Sequence, residues 1–319
     1  MILIISLSTD NGVAQVCEWL RFYNINYITA NELTPIKYKF HNDVLQVQIN
    51  DSGYMDIVTG WIRNPYINFD INIEENDVHE MAKKWIYIDM QKHQEFLFYH
   101  FKNQLNFLGT YYSLDINKLL VFSIANSLKI KVPEYLVSTS KKDVINFKRR
   151  CKKVITKSVG WNINYSINEK KYMGYTELLT DNLIEQLPET FAQSFFQAYL
   201  NAEVEIRSVF IDGNFFSMAQ LFKNKQKYID IRKGEVQVEY FPVDLPPEYI
   251  NKISKLMYKL NLDFCILDIL FWENDHWLID VNPTGQYTNV SKLCNYNLER
   301  KIADTIIERY NTIKSGKRS

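Results

Sequence analysis

The sequence predicts an α/β protein, and three observations carry that expectation. The first is alternation at the start: "MILIISL" reads as a strand, "NGVAQVCEWLRFYN" as a helix and "INYITA" as a second strand, an order that builds a parallel sheet. The second is a pair of hairpin signals in the C-terminal half. "EVEIRSVFIDGNFFSMAQLF" alternates by twos around Asp212-Gly213, and "NLDFCILDILFWENDHWLIDVNP" gives two strands around the polar loop "WENDH". The third is composition: 319 residues, 46% hydrophobic and 23% charged, are enough for two or three lobes with sizeable cores in an ordinary globular enzyme.

Charge and cysteine usage narrow the function classes. Lys plus Arg equals Asp plus Glu at 37 each, so no global field favours nucleic acid or an anionic membrane. The start is apolar for about seven residues without a basic leader, which reads as a buried strand and not a signal peptide. No apolar run reaches the ~20 residues of a membrane span. Cys17, Cys151, Cys265 and Cys294 are far apart and form no C-x-x-C pair, so reduced thiols in a cytoplasm are expected and structural zinc is not. No G-x-x-x-x-G-K-[ST] loop occurs, and no serine or cysteine nucleophile arrangement.

Along the chain, "SGYMDIVTGWIRNP" adds a strand that ends on Arg63, and "NDVHEMAKKWIYIDMQKHQEFLFYHFKNQL" reads as a long helical region. The character shifts after Gly109. "DINKLLVFSIANSLKIKVPEYLVST" offers Asp115 as an N-cap and apolar residues at 116, 119, 120, 124 and 128 for one helical face, with Pro133 before a strand. A domain boundary near residue 112 follows. A basic helix, "KKDVINFKRRCKK", precedes the strand "VITK" and the small-residue turn "SVG"; its many cations are expected to form a solvated face. "PEYINKISKLMYKL" carries Ile250, Ile253, Met257 and Leu260 at helical spacing.

The last hairpin raises a chemical question. Centred on Asn274, it sets Asp268 opposite Asp280, with Cβ atoms ~4.5–5.5 Å apart, and Asn282 projects from the same face. Two unpaired carboxylates that close repel, and one stays protonated unless a cation lies between them. Oxygen-only ligands from one or two carboxylates and an amide suit Mg²⁺, which takes its remaining ligands from water and phosphate. The competing reading is a solvent-facing hairpin with two incidental acids, which the flanking Leu267, Ile269, Leu278 and Val281 oppose.

The order of four stretches resembles the ATP-grasp superfamily: "DINKLLVFSIANSLKIKVPEYLVST", a lysine closing "VITKSVG", "FFQAYLNAEVEIRSVFIDG", then "LDIL" and "WLIDVNPTGQY". Within it the pattern is most similar to ligases that crosslink ribosomal peptides, the microviridin-type or graspetide maturases with their grasp-with-spasm subgroup; "GWIRNP" and "YIDIR" fit that group too. One departure is Asp280, where the family usually has glutamate; its arm is shorter. The resemblance implies an ATP-grasp fold behind a Rossmann-like pre-ATP-grasp domain: residues 1–112 for the latter, 113–319 for the former, with a lid over about 132–198 and a metal-binding part over about 199–319.

The resemblance also implies the site. Lys118 and Lys157 contact nucleotide phosphates as point charges. The stretch Gln197, Ala198 and Tyr199 is the hinge whose backbone amide and carbonyl read adenine. Glu205 holds the ribose, with Glu203 close enough to compete. Arg207 and Arg232 face the reacting carboxylate and the transferred phosphate, where planar bidentate donors suit developing charge. Asp268, Asp280 and Asn282 hold Mg²⁺. The implied reaction uses ATP and Mg²⁺ to turn an Asp or Glu side chain of a precursor peptide, leader plus core, into an acyl phosphate that Ser, Thr or Lys of the same peptide displaces. A cytoplasmic homodimer is expected, without nucleic acid or membrane as partner. Two other readings stand beside it: a ligase adding glutamate or another amino acid to a protein terminus or small molecule, and a non-catalytic ATP-binding regulatory module.

Overall fold

In the computed structural model the described residues are 1–69, 79–110, 116–160, 164–167, 170–173, 176–223 and 237–316. The chain opens with β1 (Ile2–Ile5), α1 (Asn11–Phe22), β2 (Tyr27–Ala30), the antiparallel β3 (Ile36–His41), β4 (Val44–Ile49) and β5 (Met55–Asp56), then β6 (Thr59–Ile62), α2 (Glu80–Asn103) and β7 (Leu108–Gly109). Strands β2, β1, β6 and β7 lie side by side, all parallel, as the opening alternation predicts. Every residue of β1 is buried, and its faces divide by parity. Ile2 and Ile4 pack with Val16 and Leu20 of α1, whereas Leu3 and Ile5 pack with Leu97, Phe98 and Phe101 of α2. A two-sided apolar strand is what a sheet covered on both faces requires.

After residues 111–115, which lie outside the described set together with the expected boundary near 112, come α3 (Lys118–Ser127), β8 (Tyr135–Ser140), α4 (Lys141–Cys151) and β9 (Val154–Thr156). The α3 cap is Asn117, whose side chain accepts from the amides of Leu119 and Leu120. That corrects the expected cap at Asp115, itself outside the described residues. The buried face also differs: Val121, Phe122 and Ala125 point inward, while Leu120 is 51% exposed. A hairpin of β10 (Asn164–Ile167) and β11 (Lys170–Met173) follows, then β12 (Glu177–Leu178), α5 (Asp181–Gln186) and β13 (Thr190–Ala198). A second sheet, ordered β12, β9, β13, β8, packs on α4 and α5 through Val144, Phe147, Ile184 and Phe196.

The third sheet contains β14 (Val204–Ile211), β15 (Asn214–Phe222), β16 (Val238–Val243), β17 (Phe264–Trp272) and β18 (Asp275–Asn282), with α6 (Pro247–Lys259) before β17 and the helices α7 (Thr288–Leu293) and α8 (Leu298–Lys314) closing the chain. Its order is β16, β15, β14, β17, β18. Asp212 and Gly213 turn β14 into β15 with positive φ at both positions, a pairing that matches strand twist. One face carries Ile206, Phe210, Leu267, Ile269 and Leu278 onto α3 and α6. The opposite face carries Val209, Phe264 and Ile266 onto the N-terminal parallel sheet.

A buried charge network ties these units together. Asp263, just before β17, accepts from Lys102 of α2 at 2.6 Å, from Arg309 of α8 at 2.8 Å and from the Gly109 amide at 2.9 Å. Arg309 also pairs with Asp212 at 2.7 Å. The two cations outweigh burial and hold the Asp263 carboxyl below its usual range. Lys102 and Arg309 are each only 8% exposed, so removing Asp263 leaves two cations largely cut off from water. Asp263→Ala is therefore expected to lower unfolding free energy by about 3 kcal/mol in a denaturant titration. The stabilisation from the depressed carboxyl is present above the unfolded value of about 4 and is lost as pH falls through the lower folded value, so the difference between wild type and variant shrinks in acid.

Candidate active site

The site lies where the second and third sheets face each other. Asp268 on β17 stands opposite Asp280 on β18, as the sequence predicts, although the register that achieves it is different. The turn is two residues, Glu273 and Asn274, both with positive φ, and it pairs Trp272 with Asp275 and Ile269 with Leu278. Left unbroken, that register would set Ile279 against Asp268. A bulge between Ile269 and Asp268 inserts one extra residue on β18. Leu278 and Val281 both reach the α3–α6 core, and Ile279 and Asp280 lie between them. The bulge thus adds an apolar wall residue, Ile279, beside the carboxylate.

Cations answer both acids. Arg207 on β14 pairs directly with Asp268 in register and donates from Nη1 to Asp268 Oδ1 at 3.1 Å. Its Nε and Nη2 donate to the Gln286 carbonyl at 3.3 and 3.1 Å, which fixes the guanidinium plane. Lys118 Nζ sits 3.3 Å from Asp280 Oδ1. A lysine at the first position of a helix opposes the helix dipole, and the facing carboxylate offsets that cost. Burial and then the nearby Asp280 push the Asp268 carboxyl up, while Arg207, Lys118 and Lys157 pull it down; the net direction is upward. Lys157, directly after β9, is driven down to about 8, first by burial and then by Lys118, against the opposing pull of Asp280, Asp268 and Glu205. Three cations and three acids therefore share one field.

A cavity of about 140 Å³ adjoins this cluster, lined by Lys157, Gln197, Ala198, Tyr199 and Glu205 together with apolar Ile155, Leu200, Leu270 and Ile279. Five of the predicted nucleotide residues thus meet in one wall. Gln197 is buried and its Nε2 donor has no partner among the described residues, an orphan that a ligand acceptor would satisfy. The backbone at this hinge is partly committed: the Ala198 amide donates to Glu134 O at 2.8 Å and the Tyr199 amide to Lys153 O at 3.0 Å. Neither amide is left to read a base edge.

The two competing glutamates separate. Glu205 is half-buried and lines the cavity; Glu203 is exposed and does not line it. Asn282 shares the acid face, and its Oδ1 accepts from the Thr284 amide at 3.0 Å. Arg232 lies outside the described residues. Beyond the expected set, Ile279, Leu270 and the Gln286 carbonyl belong to the site. A bulge and a carbonyl contact leave no residue-type signature, so only the two-residue turn was open to detection in "WENDH".

As a test of fit for a divalent cation, the donors are two carboxylates and one amide oxygen on one sheet face. Arg207 and Lys118 each approach one oxygen of these carboxylates, Oδ1, and no cluster of three His, Cys, Asp or Glu occurs among the described residues. A hard cation completed by water and phosphate suits this set, whereas a site closed by protein ligands alone does not.

No family model matches the sequence, and neither does any curated protein. Solved structures do share its fold. The macrocyclase MdnC bound with precursor peptide MdnA from Microcystis aeruginosa MRC matches with a TM-score of 0.76 at 15% identity, over 97% of this chain and 99% of that one. A RiPP-associated ATP-grasp ligase from Chryseobacterium gregarium, in complex with ADP and a leader and core peptide, gives 0.75 at 17% identity over 97% and 96%. D-alanine–D-alanine ligase from Bacillus anthracis gives 0.51 at 14% identity over 99% of both. These likenesses, spanning both chains nearly end to end, establish that this chain has the ATP-grasp fold.

Proposed function

We propose that this protein is an ATP-dependent ligase that activates Asp or Glu side chains of a ribosomal precursor peptide and closes intramolecular ω-ester or ω-amide crosslinks. The observation that supports it most is the juxtaposition of the Gln197–Glu205 cavity with the Asp268, Asp280, Arg207 and Lys118 cluster. Two solved structures with this fold, those from Microcystis and Chryseobacterium, carry peptides, and the latter carries ADP. In this reading residues 1–112 form a pre-ATP-grasp domain, the chain acts as a cytoplasmic homodimer, and no helix among the described residues is long and apolar enough to cross a membrane.

The roles follow from position. The Gln197 amide and the apolar walls receive adenine, Glu205 the ribose, and Lys157 and Lys118 the phosphates as point charges. Asp268, Asp280 and Asn282 would hold Mg²⁺, which when bound neutralises phosphate charge. Arg207, set by Asp268 and the Gln286 carbonyl, orients the peptide carboxylate. A carboxylate oxygen attacks the γ-phosphorus of ATP, ADP leaves, and the resulting acyl phosphate is attacked at carbon by a hydroxyl or amine of the same peptide. Phosphate then departs and the nucleophile loses its proton, so each ring costs the peptide one water. Arg232 is assigned to the same reacting groups.

Mass spectrometry of a precursor co-expressed with the protein tests this directly. The expected product is lighter by ~18 Da for each ring closed. A gain matching an added amino acid would transfer the assignment to a tailing ligase, and nucleotide binding with no product to a regulatory module.

The depressed Lys157 gives a second test. Bound phosphate restores the lysine's charge, so above pH 8 the complex holds more protons than the free protein and affinity falls as pH rises. Calorimetry should find ADP affinity flat below about pH 7 and falling up to tenfold per unit above 8. A flat profile to pH 9.5 would remove Lys157 from the phosphate site.

A further inference from the structure

Arg63, which directly follows β6 in "GWIRNP", is far in sequence from every residue of the candidate site and is 0% exposed. A buried guanidinium carries a desolvation cost, and a buried ion pair is by itself weak evidence for stability. Its contacts show where it acts. Nε lies 3.0 Å from Asp10 Oδ2, a carboxylate only 4% exposed whose other oxygen caps α1 through the Gly12 amide. Nη2 donates to the Gly285 carbonyl at 2.9 Å. The guanidinium lies over the rings of Tyr287 and Phe264 at 5.5 and 5.8 Å.

Gly285 precedes the residue whose carbonyl holds Arg207. The turn from Asn282 to Tyr287 is therefore gripped from two sides: Arg63 on the Gly285 carbonyl, Arg207 on the Gln286 carbonyl, with Asn282 at its start. It has little room to relax elsewhere. A Cβ on Gly285 would meet Ile266 Cβ at 2.9 Å and Asn282 Cγ at 3.3 Å, so the turn lies flat on β17. Two consecutive carbonyls bound by two arginines fix the two peptide groups that flank Gln286, and the second of these holds the guanidinium that meets Asp268.

We propose that Arg63 is a positioning residue: through the Gly285 carbonyl it holds the 282–287 turn, and thereby aims Arg207 and Asn282 at the reacting groups. Arg63, fully buried, thus contributes to turnover without itself touching nucleotide or peptide. This rests on the ligase reading for its effect on rate and on the contacts alone for its effect on the turn.

The test uses Arg63→Lys, which keeps the charge for Asp10 but loses the planar second donor, and Asp10→Asn, which keeps the α1 cap and removes the charge that orients Arg63. Hydrogen exchange read by mass spectrometry on the full chain should show amides of 284–287 exchanging at least tenfold faster in Arg63→Lys, with β1 and α1 unchanged. ADP affinity measured with chelator should stay within twofold, because no residue of the 282–287 turn lines the nucleotide cavity. With precursor peptide, kcat should fall at least thirtyfold at nearly constant KM for ATP. If Arg63→Lys does not fold, Asp10→Asn is read by the same criteria. Unchanged exchange at 284–287 in a folded variant overturns the proposal, as does a rate loss that only follows the folded fraction. A wild type that closes no rings would overturn the ligase reading instead, and the exchange result would still decide whether Arg63 holds the turn.

Discussion

The interaction on which the rest of the structure depends is the meeting of two carboxylates on neighbouring strands. Asp268 and Asp280 face each other on a sheet whose other side is a packed apolar core. In water such a pair would spread apart or be screened; here the strands forbid the first and the facing sheet limits the second. Three cations, each on a different element, face the pair: Arg207 on β14, Lys118 at the head of α3 and Lys157 after β9. Those elements have to converge if the pair is to be tolerated, and their convergence forms the cavity.

This explains why the site draws on so much of the chain. The parallel N-terminal sheet supplies the floor under β17 and the arginine that grips the 282–287 turn. The second sheet supplies Lys157 and Gln197, and the third supplies the acids and Arg207. The lysine at the first helical position and the Gln197 donor, which has no partner among the described residues, are local costs. Both are relieved by a ligand that brings phosphate charge and a hydrogen-bond acceptor.

Much of this was legible in the residues. Strand parity, the Asp212-Gly213 turn and the carboxylate opposition follow from period-two patterning, and the ordered motifs pointed to Lys118, Lys157, Gln197, Glu205 and Arg207. The opposition itself was reached by centring the hairpin on one residue, whereas the protein uses a two-residue turn and a later bulge at Ile279. Periodicity cannot register a bulge, because the extra residue is apolar and fits either face. The helix cap moved from Asp115 to Asn117 because both residue types cap well and only the buried face of α3 decides between them. Backbone contacts, such as those of Gly285 and Gln286 with two arginines, carry no side-chain signal at all.

The central proposal is that Asp268 and Asp280 take a divalent cation delivered with nucleotide phosphate, in place of part of their pairing with Arg207 and Lys118. The most direct measurement is the affinity for ADP by calorimetry with Mg²⁺ and with chelator, in wild type and in Asp268→Asn. The account predicts that Mg²⁺ tightens ADP binding by at least tenfold in the wild type and by less than twofold in the variant, with chelated affinities alike. Equal affinity with and without Mg²⁺ in the wild type would contradict it.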